Sequence, residues 1–260
     1  MNAIRADDLF NHVSSTAMEA RRIFISRYFW ANFNGTVRYG PLKGFKLDDD
    51  PSWGPGDLAS KLFGLYEQEV LKLLTELRGK HQILINLGAG DGYYGVGLVT
   101  AGIFERSICF EAAEKGRDAV KRTAQKNGVT EKVTILGAAG ADFQAVIAKL
   151  GLKASDCLIL CDVESAEFSI FSNQCLASLQ GAHIIIELHG YMLTNGNVLE
   201  QSLISNSQQL FQTSIVRTST RDLSSIPELE ALNDSDRWLI CSEGRPKLMS
   251  WLILTPKIDR

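Results

Sequence analysis

The stretch ILINLGAGDGYYG, residues 83–95, carries the strongest structural signal in the chain. It begins with a short, mostly apolar run that is typical of a buried strand. Gly88, Gly90 and Gly92 then follow at alternate positions. Because glycine has no side chain, such a turn lets backbone N–H groups approach a ligand, and the start of a following helix favours negative charge. The stretch therefore predicts a strand, a ligand-binding turn and a helix.

Two features near this turn narrow the choice of ligand. The dinucleotide fingerprint G-x-G-x-x-G needs a glycine at position 93, where this chain has Tyr93. Glu111 ends the next apolar run, and an acid in that position can accept hydrogen bonds from both hydroxyls of a ribose. We therefore expect a nucleoside cofactor without a pyrophosphate, and an NAD-dependent oxidoreductase is the weaker alternative.

Apolar runs of similar length recur along the rest of the chain. They lie at 83–87, 107–111, 132–136, 157–162 and 182–188, and further strands are predicted at 211–217 and 250–256. The first five are apolar on both faces, as in parallel strands covered by helices. Segment 115–128 is typical of the intervening helices and ends on the C-cap signal Asn127-Gly128. The pattern predicts an α/β fold with a doubly wound, mostly parallel, seven-stranded sheet.

The first 80 residues have a different character. They predict a helix over 7–30, a hairpin over 35–47, a loop over 48–57 and a helix over 58–77. We therefore divide the chain into an N-terminal cap and lid segment, 1–80, and a cofactor-binding domain, 81–260. An irregular insertion is expected at 218–249.

Composition excludes several classes of protein. Of 260 residues, 45% are hydrophobic and 22% charged, which is typical of globular domains and argues against a disordered chain. The net charge of -3 argues against a nucleic-acid-binding protein. Neither an apolar run long enough to span a membrane nor a signal-peptide core is present in the sequence. The five cysteines, odd in number and mostly in apolar runs, predict a reducing, cytoplasmic location.

Five short stretches follow one another along the chain: NLGAGDGYYG (86–95), ICFEA (108–112), AAG (138–140), DVESAE (162–167) and IIIELH (184–189). In this order they resemble the motifs of S-adenosylmethionine-dependent methyltransferases. The last two are most similar to the FkbM-type family, whose fourth motif is usually D-V-E-G-A-E. The resemblance covers about residues 60–190; Asn86 stands where the superfamily prefers an acid, and Ser165 replaces the usual glycine.

The resemblance implies a Rossmann-like class I methyltransferase fold and a role for each matching residue. It assigns to S-adenosylmethionine the turn residues Asn86, Gly88, Ala89, Gly90 and Asp91, the ribose ligand Glu111, the adenine neighbours Ala112, Ala138 and Ala139, and Asp162. Trp53 and Glu67, in the loop and helix before the first predicted strand, and Glu164, after the fourth, are candidate lid or substrate residues.

Acidic residues and a histidine follow the fourth and fifth predicted strands. Because parallel strands end at the same edge of a sheet, Asp162, Glu187 and His189 are expected to lie close together there. Three interpretations stay open. The three residues coordinate Mg²⁺ or another divalent metal, or His189 or Glu187 acts as a general base, or the group has only a structural role, with Glu164 and Glu167 starting a helix.

The predicted function is transfer of a methyl group from S-adenosylmethionine to a hydroxyl of a small molecule, sugar or glycan. The signature of amine-methylating enzymes, [D/N]-P-P-[Y/F], is absent after the fourth strand, where the chain has CDVES. A catalytically silent S-adenosylmethionine-binding module is the alternative. The sequence leaves the oligomeric state, monomer or homodimer, open.

Overall fold

A computed structural model describes residues 6–50 and 54–257, and within them seven strands form one sheet. The strand order is β3-β2-β1-β4-β5-β7-β6. Neighbouring strands from β3 to β5 run parallel, and β7 is antiparallel to both β5 and β6. The strands are β1 (Ile83–Leu87), β2 (Arg106–Phe110), β3 (Val133–Leu136), β4 (Cys157–Cys161), β5 (His183–Glu187), β6 (Phe211–Arg217) and β7 (Ser250–Pro256). The predicted doubly wound, mostly parallel sheet is confirmed.

The strand order reverses between β1 and β4, so that successive strands are added on opposite sides of this point. After β1 the chain adds β2 and β3 on one side, and it then returns to add β4 and β5 on the other. The carboxyl ends of β1 and β4 therefore flank the switch point at which open α/β sheets bind ligands.

Ten helices accompany these strands in the described residues. Those before the sheet are α1 (Ala6–Phe33), α2 (Leu58–Leu62) and α3 (Gln68–Glu76), and α3 ends shortly before β1. The others are α4 (Gly97–Thr100), α5 (Glu114–Lys126), α6 (Phe143–Lys149), α7 (Glu167–Ile170), α8 (Asn173–Ser178), α9 (Gly196–Leu210) and α10 (Asp234–Cys241). The expected helices over 7–30 and 115–128 correspond to α1 and α5.

Two hydrophobic clusters cover the two faces of the sheet. Leu84 of β1 points into the cluster that contains Ile25, Phe29 and Leu62 of the N-terminal helices. Ile83, Ile85 and Leu87 point into the other, because successive strand residues face opposite sides. The N-terminal helices therefore complete the core on one face of the sheet.

Three expectations about local structure need correction. The helix predicted over 58–77 is broken between α2 and α3, where Gly64 (φ +67) lies so close to Tyr39 that a Cβ would meet its carbonyl oxygen at 2.3 Å. The hairpin over 35–47 is reduced to one antiparallel bridge, between Thr36 and Lys46. β3 is an edge strand and only partly buried, not covered on both faces.

One expectation lies outside the described residues, since Trp53 belongs to the segment between residues 50 and 54. Among the described helices, none combines the length and the apolar character needed to cross a membrane.

Two histidines meet near the amino ends of β1 and β5, away from the switch point. His81 Nε2 lies 2.6 Å from His183 Nδ1, and His81 Nδ1 lies 2.9 Å from the carbonyl oxygen of Ser155. Burial lowers the pKa of His81, and burial together with His81 and Lys80 lowers the pKa of His183 to about 4. The folded protein therefore holds the pair neutral.

This pair makes stability depend on pH. An unfolded histidine has a pKa of about 6.5, so protons bind the unfolded chain first as the pH falls. The contribution of the pair is complete above about pH 6.5 and is lost towards pH 4. We expect His183→Gln to reduce the acid-induced loss of unfolding free energy by about 1 to 2 kcal/mol, since partial exposure screens the effect.

Urea unfolding at pH 7 and pH 4.5 measures this difference. His12→Gln, at an exposed position of α1, is the matched control and should behave as wild type. Equal acid sensitivity of wild type and His183→Gln would refute the interpretation.

Candidate functional site

A cavity of about 370 Å³ lies at the carboxyl ends of β1 and β4. Its floor includes the turn 88–91, and its walls include Glu111, Asp162 and Glu164. Residues 243–246 and the α1 side chains Glu19 and Arg22 also line it. The volume lies in the range of small-ligand sites.

The turn after β1 packs directly against the residue after β4. Gly88 has φ +79, and a Cβ at this position would lie 1.7 Å from the carbonyl oxygen of Asp162. The N–H groups of Gly88 and Ala89 donate to the carbonyl of Phe110, at 2.9 and 3.0 Å. The turn therefore lets a ligand approach the backbone closely. The N–H groups of Gly88 and Ala89 are already used in hydrogen bonds within the protein.

Glu111 is the polar residue most closely tied to this turn. One carboxylate oxygen accepts the N–H of Gly90 and the other that of Ala113, each at 2.8 Å. A Cβ on Gly116 would lie 2.6 Å from Glu111 Cγ, so the glycine in the first turn of α5 makes room for the carboxyl group. Each oxygen keeps a further lone pair for a ligand hydroxyl.

The other residues assigned to the cofactor divide into two groups. Asp91 lines the cavity, but one of its oxygens accepts Lys61 Nζ at 2.9 Å. The structure places four residues outside the cavity lining. Asn86 is buried beside Gly95, and Ala112 and Ala138 are exposed. Ala139 packs against the hydrophobic cluster that contains Ile85 and Leu87.

Asp162, Glu187 and His189 come together as their places at the strand ends predict. One oxygen or nitrogen from each lies within 4.8 Å of the others. His189 Nε2 is 3.5 Å from Asp162 Oδ1 and 3.9 Å from Glu187 Oε1 and from Glu164 Oε2. Most of these separations exceed hydrogen-bond length, so the group leaves room for a proton or a cation between its members.

Glu167 belongs to this cluster, although the sequence suggested only that it starts a helix. It is fully buried at the start of α7, and its Oε1 accepts the backbone N–H of His189 at 2.8 Å. The same oxygen lies 3.5 Å from His189 Nδ1. Two positive φ angles, at Glu164 (+49) and Ser165 (+81), turn the chain so that Glu164 reaches the cavity and Glu167 turns inward.

Burial and charge act in opposite directions on His189. Burial lowers its pKa, but the neighbouring Glu167, Asp162 and Glu164 together raise it above its ordinary value. Burial, and then Asp162, raise the pKa of Glu187 well above its usual range. The cluster therefore favours a bound proton or another positive group.

Arg245 supplies a cation that the sequence left unassigned. Its guanidinium binds Glu187, Glu67 and, at 2.8 Å, Glu243. Glu67, expected to form part of a lid, is instead buried in this network and accepts the hydroxyl of Tyr94 at 2.6 Å. Burial is the main reason that its pKa rises to about 7. Only the fold brings these segments together, so no local sequence signal could reveal the network.

We expect Arg245→Met to destabilise the protein by about 3 to 5 kcal/mol, because Glu67 and Glu187 would lose the cation that pairs with them, while Glu243 keeps its ion pair with Arg221. Adding Glu187→Gln should recover part of the loss. Urea unfolding measures both effects. Arg217→Met, at an exposed position of β6, is the control and should change stability by less than about 0.5 kcal/mol. A loss no larger than that of the control would contradict this role.

Comparisons with known proteins give similarities of fold. No protein-family model and no curated protein matches the chain. An O-methyltransferase from Bacillus cereus in complex with SAH is 12% identical, with 90% of each chain covered and a TM-score of 0.49. A precorrin-8W decarboxylase from Methanobacterium thermoautotrophicum is 13% identical, with 73% of this chain and 89% of the other covered and a TM-score of 0.47. An rRNA methylase from Streptococcus thermophilus is 11% identical, with 72% of this chain and 93% of the other covered and a TM-score of 0.46.

Proposed function

We propose that this protein is an S-adenosylmethionine-dependent methyltransferase of the FkbM type that methylates a hydroxyl group of a small molecule, sugar or glycan. The observation that carries the proposal is Glu111. Its carboxylate lines the cavity at the switch point, is fixed by two backbone N–H groups, and retains lone pairs for a ribose.

The residues around the cavity fit this cofactor. Gly88, Ala89 and Gly90 allow the nucleoside to approach the backbone, and Asp162 and Glu164 bring negative charge to the same cavity. A sulfonium is complementary to that charge. When bound, S-adenosylmethionine supplies an activated methyl group, so the protein has mainly to position the acceptor and remove its proton.

The backbone at Ser165 also supports the FkbM-type resemblance. Its φ of +81 lies in the region that favours glycine, and glycine is the residue usual at this place in that family. The turn that directs Glu164 to the cavity therefore has the backbone conformation that the glycine of the family motif would adopt readily.

We assign removal of the proton to His189, which is itself buried and outside the cavity lining but whose Nε2 lies 3.5 Å from Oδ1 of the lining residue Asp162. A neutral imidazole can accept it at Nε2, and Glu167, Asp162 and Glu164 then stabilise the imidazolium. Asp162, Glu187 and His189 would be the ligands of Mg²⁺ or another divalent metal. However, Arg245 already binds the Glu187 oxygen that faces His189. We therefore favour a general base.

The cofactor assignment predicts that Glu111→Ala weakens S-adenosylhomocysteine binding by about 1.5 to 3 kcal/mol, because charge-assisted hydrogen bonds are lost. Isothermal titration calorimetry measures the change. Glu114→Ala, which removes an exposed acid at the start of α5, three residues after Glu111, should bind like wild type. Unchanged affinity in Glu111→Ala, or no binding by wild type, would refute the proposal.

The general-base assignment predicts that activity persists in EDTA and falls at least about 100-fold in His189→Gln. S-adenosylhomocysteine release from a panel of sugars, glycans and small alcohols identifies an acceptor and then measures both effects. His12→Gln is the control. Loss of activity in EDTA that Mg²⁺ or Mn²⁺ restores would instead support the metal site.

A further inference from the structure

Arg22, on α1, has a buried nitrogen that no acceptor in the described part of the chain satisfies. The residue is 9% exposed and lines the cavity. Its Nη2 pairs with Glu19, whose side chain is 45% exposed. Its Nη1 is buried and has no hydrogen-bond partner among the described residues. Such a group is costly unless something binds to it.

Two glycines from separate loops make room for this guanidinium. A Cβ on Gly244 would lie 2.1 Å from Arg22 Nη1, and a Cβ on Gly56 would lie 3.0 Å from Nη2. Both glycines also line the cavity. The position of the guanidinium is therefore built by three parts of the fold, and it is not that of a free surface side chain.

The other described cations that line the cavity are already occupied. Lys61 Nζ lies between Asp57 and Asp91, at 3.0 and 2.9 Å. Arg245 is held by its three glutamates. Among the described residues that line the cavity, Arg22 is therefore the cation whose buried N–H can still bind an anionic ligand group. A guanidinium is suited by shape and charge to a carboxylate.

We propose that Arg22 forms a carboxylate-binding subsite on the α1 side of the cavity. The carboxylate accepts a hydrogen bond from Nη1, while Nη2 stays with Glu19. The inference rests on the proposed function for its ligand, which is either the amino-acid tail of the cofactor or an acidic group of the acceptor.

Calorimetry with two nucleosides separates these sources. S-adenosylhomocysteine carries the amino-acid tail, and 5′-methylthioadenosine has the same thioether nucleoside without it. If the tail is the ligand, Arg22→Met should weaken S-adenosylhomocysteine binding by about 10-fold or more and leave 5′-methylthioadenosine unchanged. Arg22→Lys, which keeps the charge but not the planar fork, should fall in between.

The acceptor arm uses glycolate, a small hydroxy acid, titrated into the S-adenosylhomocysteine complex and followed by saturation-transfer NMR. If the acceptor supplies the carboxylate, both nucleosides bind Arg22→Met normally, but the glycolate signal of wild type is lost. Arg27→Met, at an exposed position five residues further along α1, is the control in every titration. Normal 5′-methylthioadenosine binding also verifies that Arg22→Met is folded.

The inference is overturned if Arg22→Met binds S-adenosylhomocysteine like wild type and its glycolate signal is unchanged, or is absent from both proteins. Failure of the proposed function is a different result, in which wild type binds neither nucleoside. In that case glycolate is titrated into the free protein to test the Arg22 subsite separately. A glycolate signal that is present in wild type and lost in Arg22→Met supports the subsite, and equal signals in the two proteins refute it.

Discussion

The guanidinium of Arg245 holds together segments that are remote in the chain. Glu67 lies in the break between α2 and α3, Glu187 ends β5, and Glu243 precedes the arginine closely. A buried carboxylate without a partner costs several kcal/mol, so Glu67 and Glu187 depend on this shared cation, while Glu243 also pairs with Arg221. Arg245 therefore fixes the cavity wall formed by residues 243–246 and holds Glu187 near His189.

This network also determines which charges remain for a ligand. The sequence alone suggested that the acids after β4 and β5 need an external cation. The structure provides part of the compensation internally, because Arg245 binds Glu187. Asp162 and Glu164 still face the cavity, with His189 Nε2 at 3.5 Å from Asp162 and 3.9 Å from Glu164. The proposed ligand would therefore carry its positive charge near Asp162 and its carboxylate near Arg22.

The sequence predicted the strands to within about one residue, because most of them are short apolar runs bounded by turn signals. The continuous helix over 58–77 was wrong for a physical reason. The periodic pattern continues through Gly64, but the close approach of Tyr39 breaks the helix there. Such a tertiary contact outweighs local periodicity, and the pattern of one segment cannot reveal it.

The candidate site divides in the same way. Glu111, Asp162, Glu187 and His189 could be found because the ends of parallel strands share one edge of the sheet. The contacts of Arg22, Glu67 and Arg245 could not be predicted, because Glu67 and Arg245 are distant in the chain and the glycines around the Arg22 guanidinium belong to separate loops.

Glu167 is the most instructive residue, since its inward direction depends on a backbone turn. Ser165 adopts a φ of +81, which costs a residue with a side chain about 1 to 3 kcal/mol. Such a conformation persists only where the surroundings impose it. The buried hydrogen bond from the His189 N–H to Glu167 provides one such constraint. Ser165 therefore stores strain in the loop that positions the histidine.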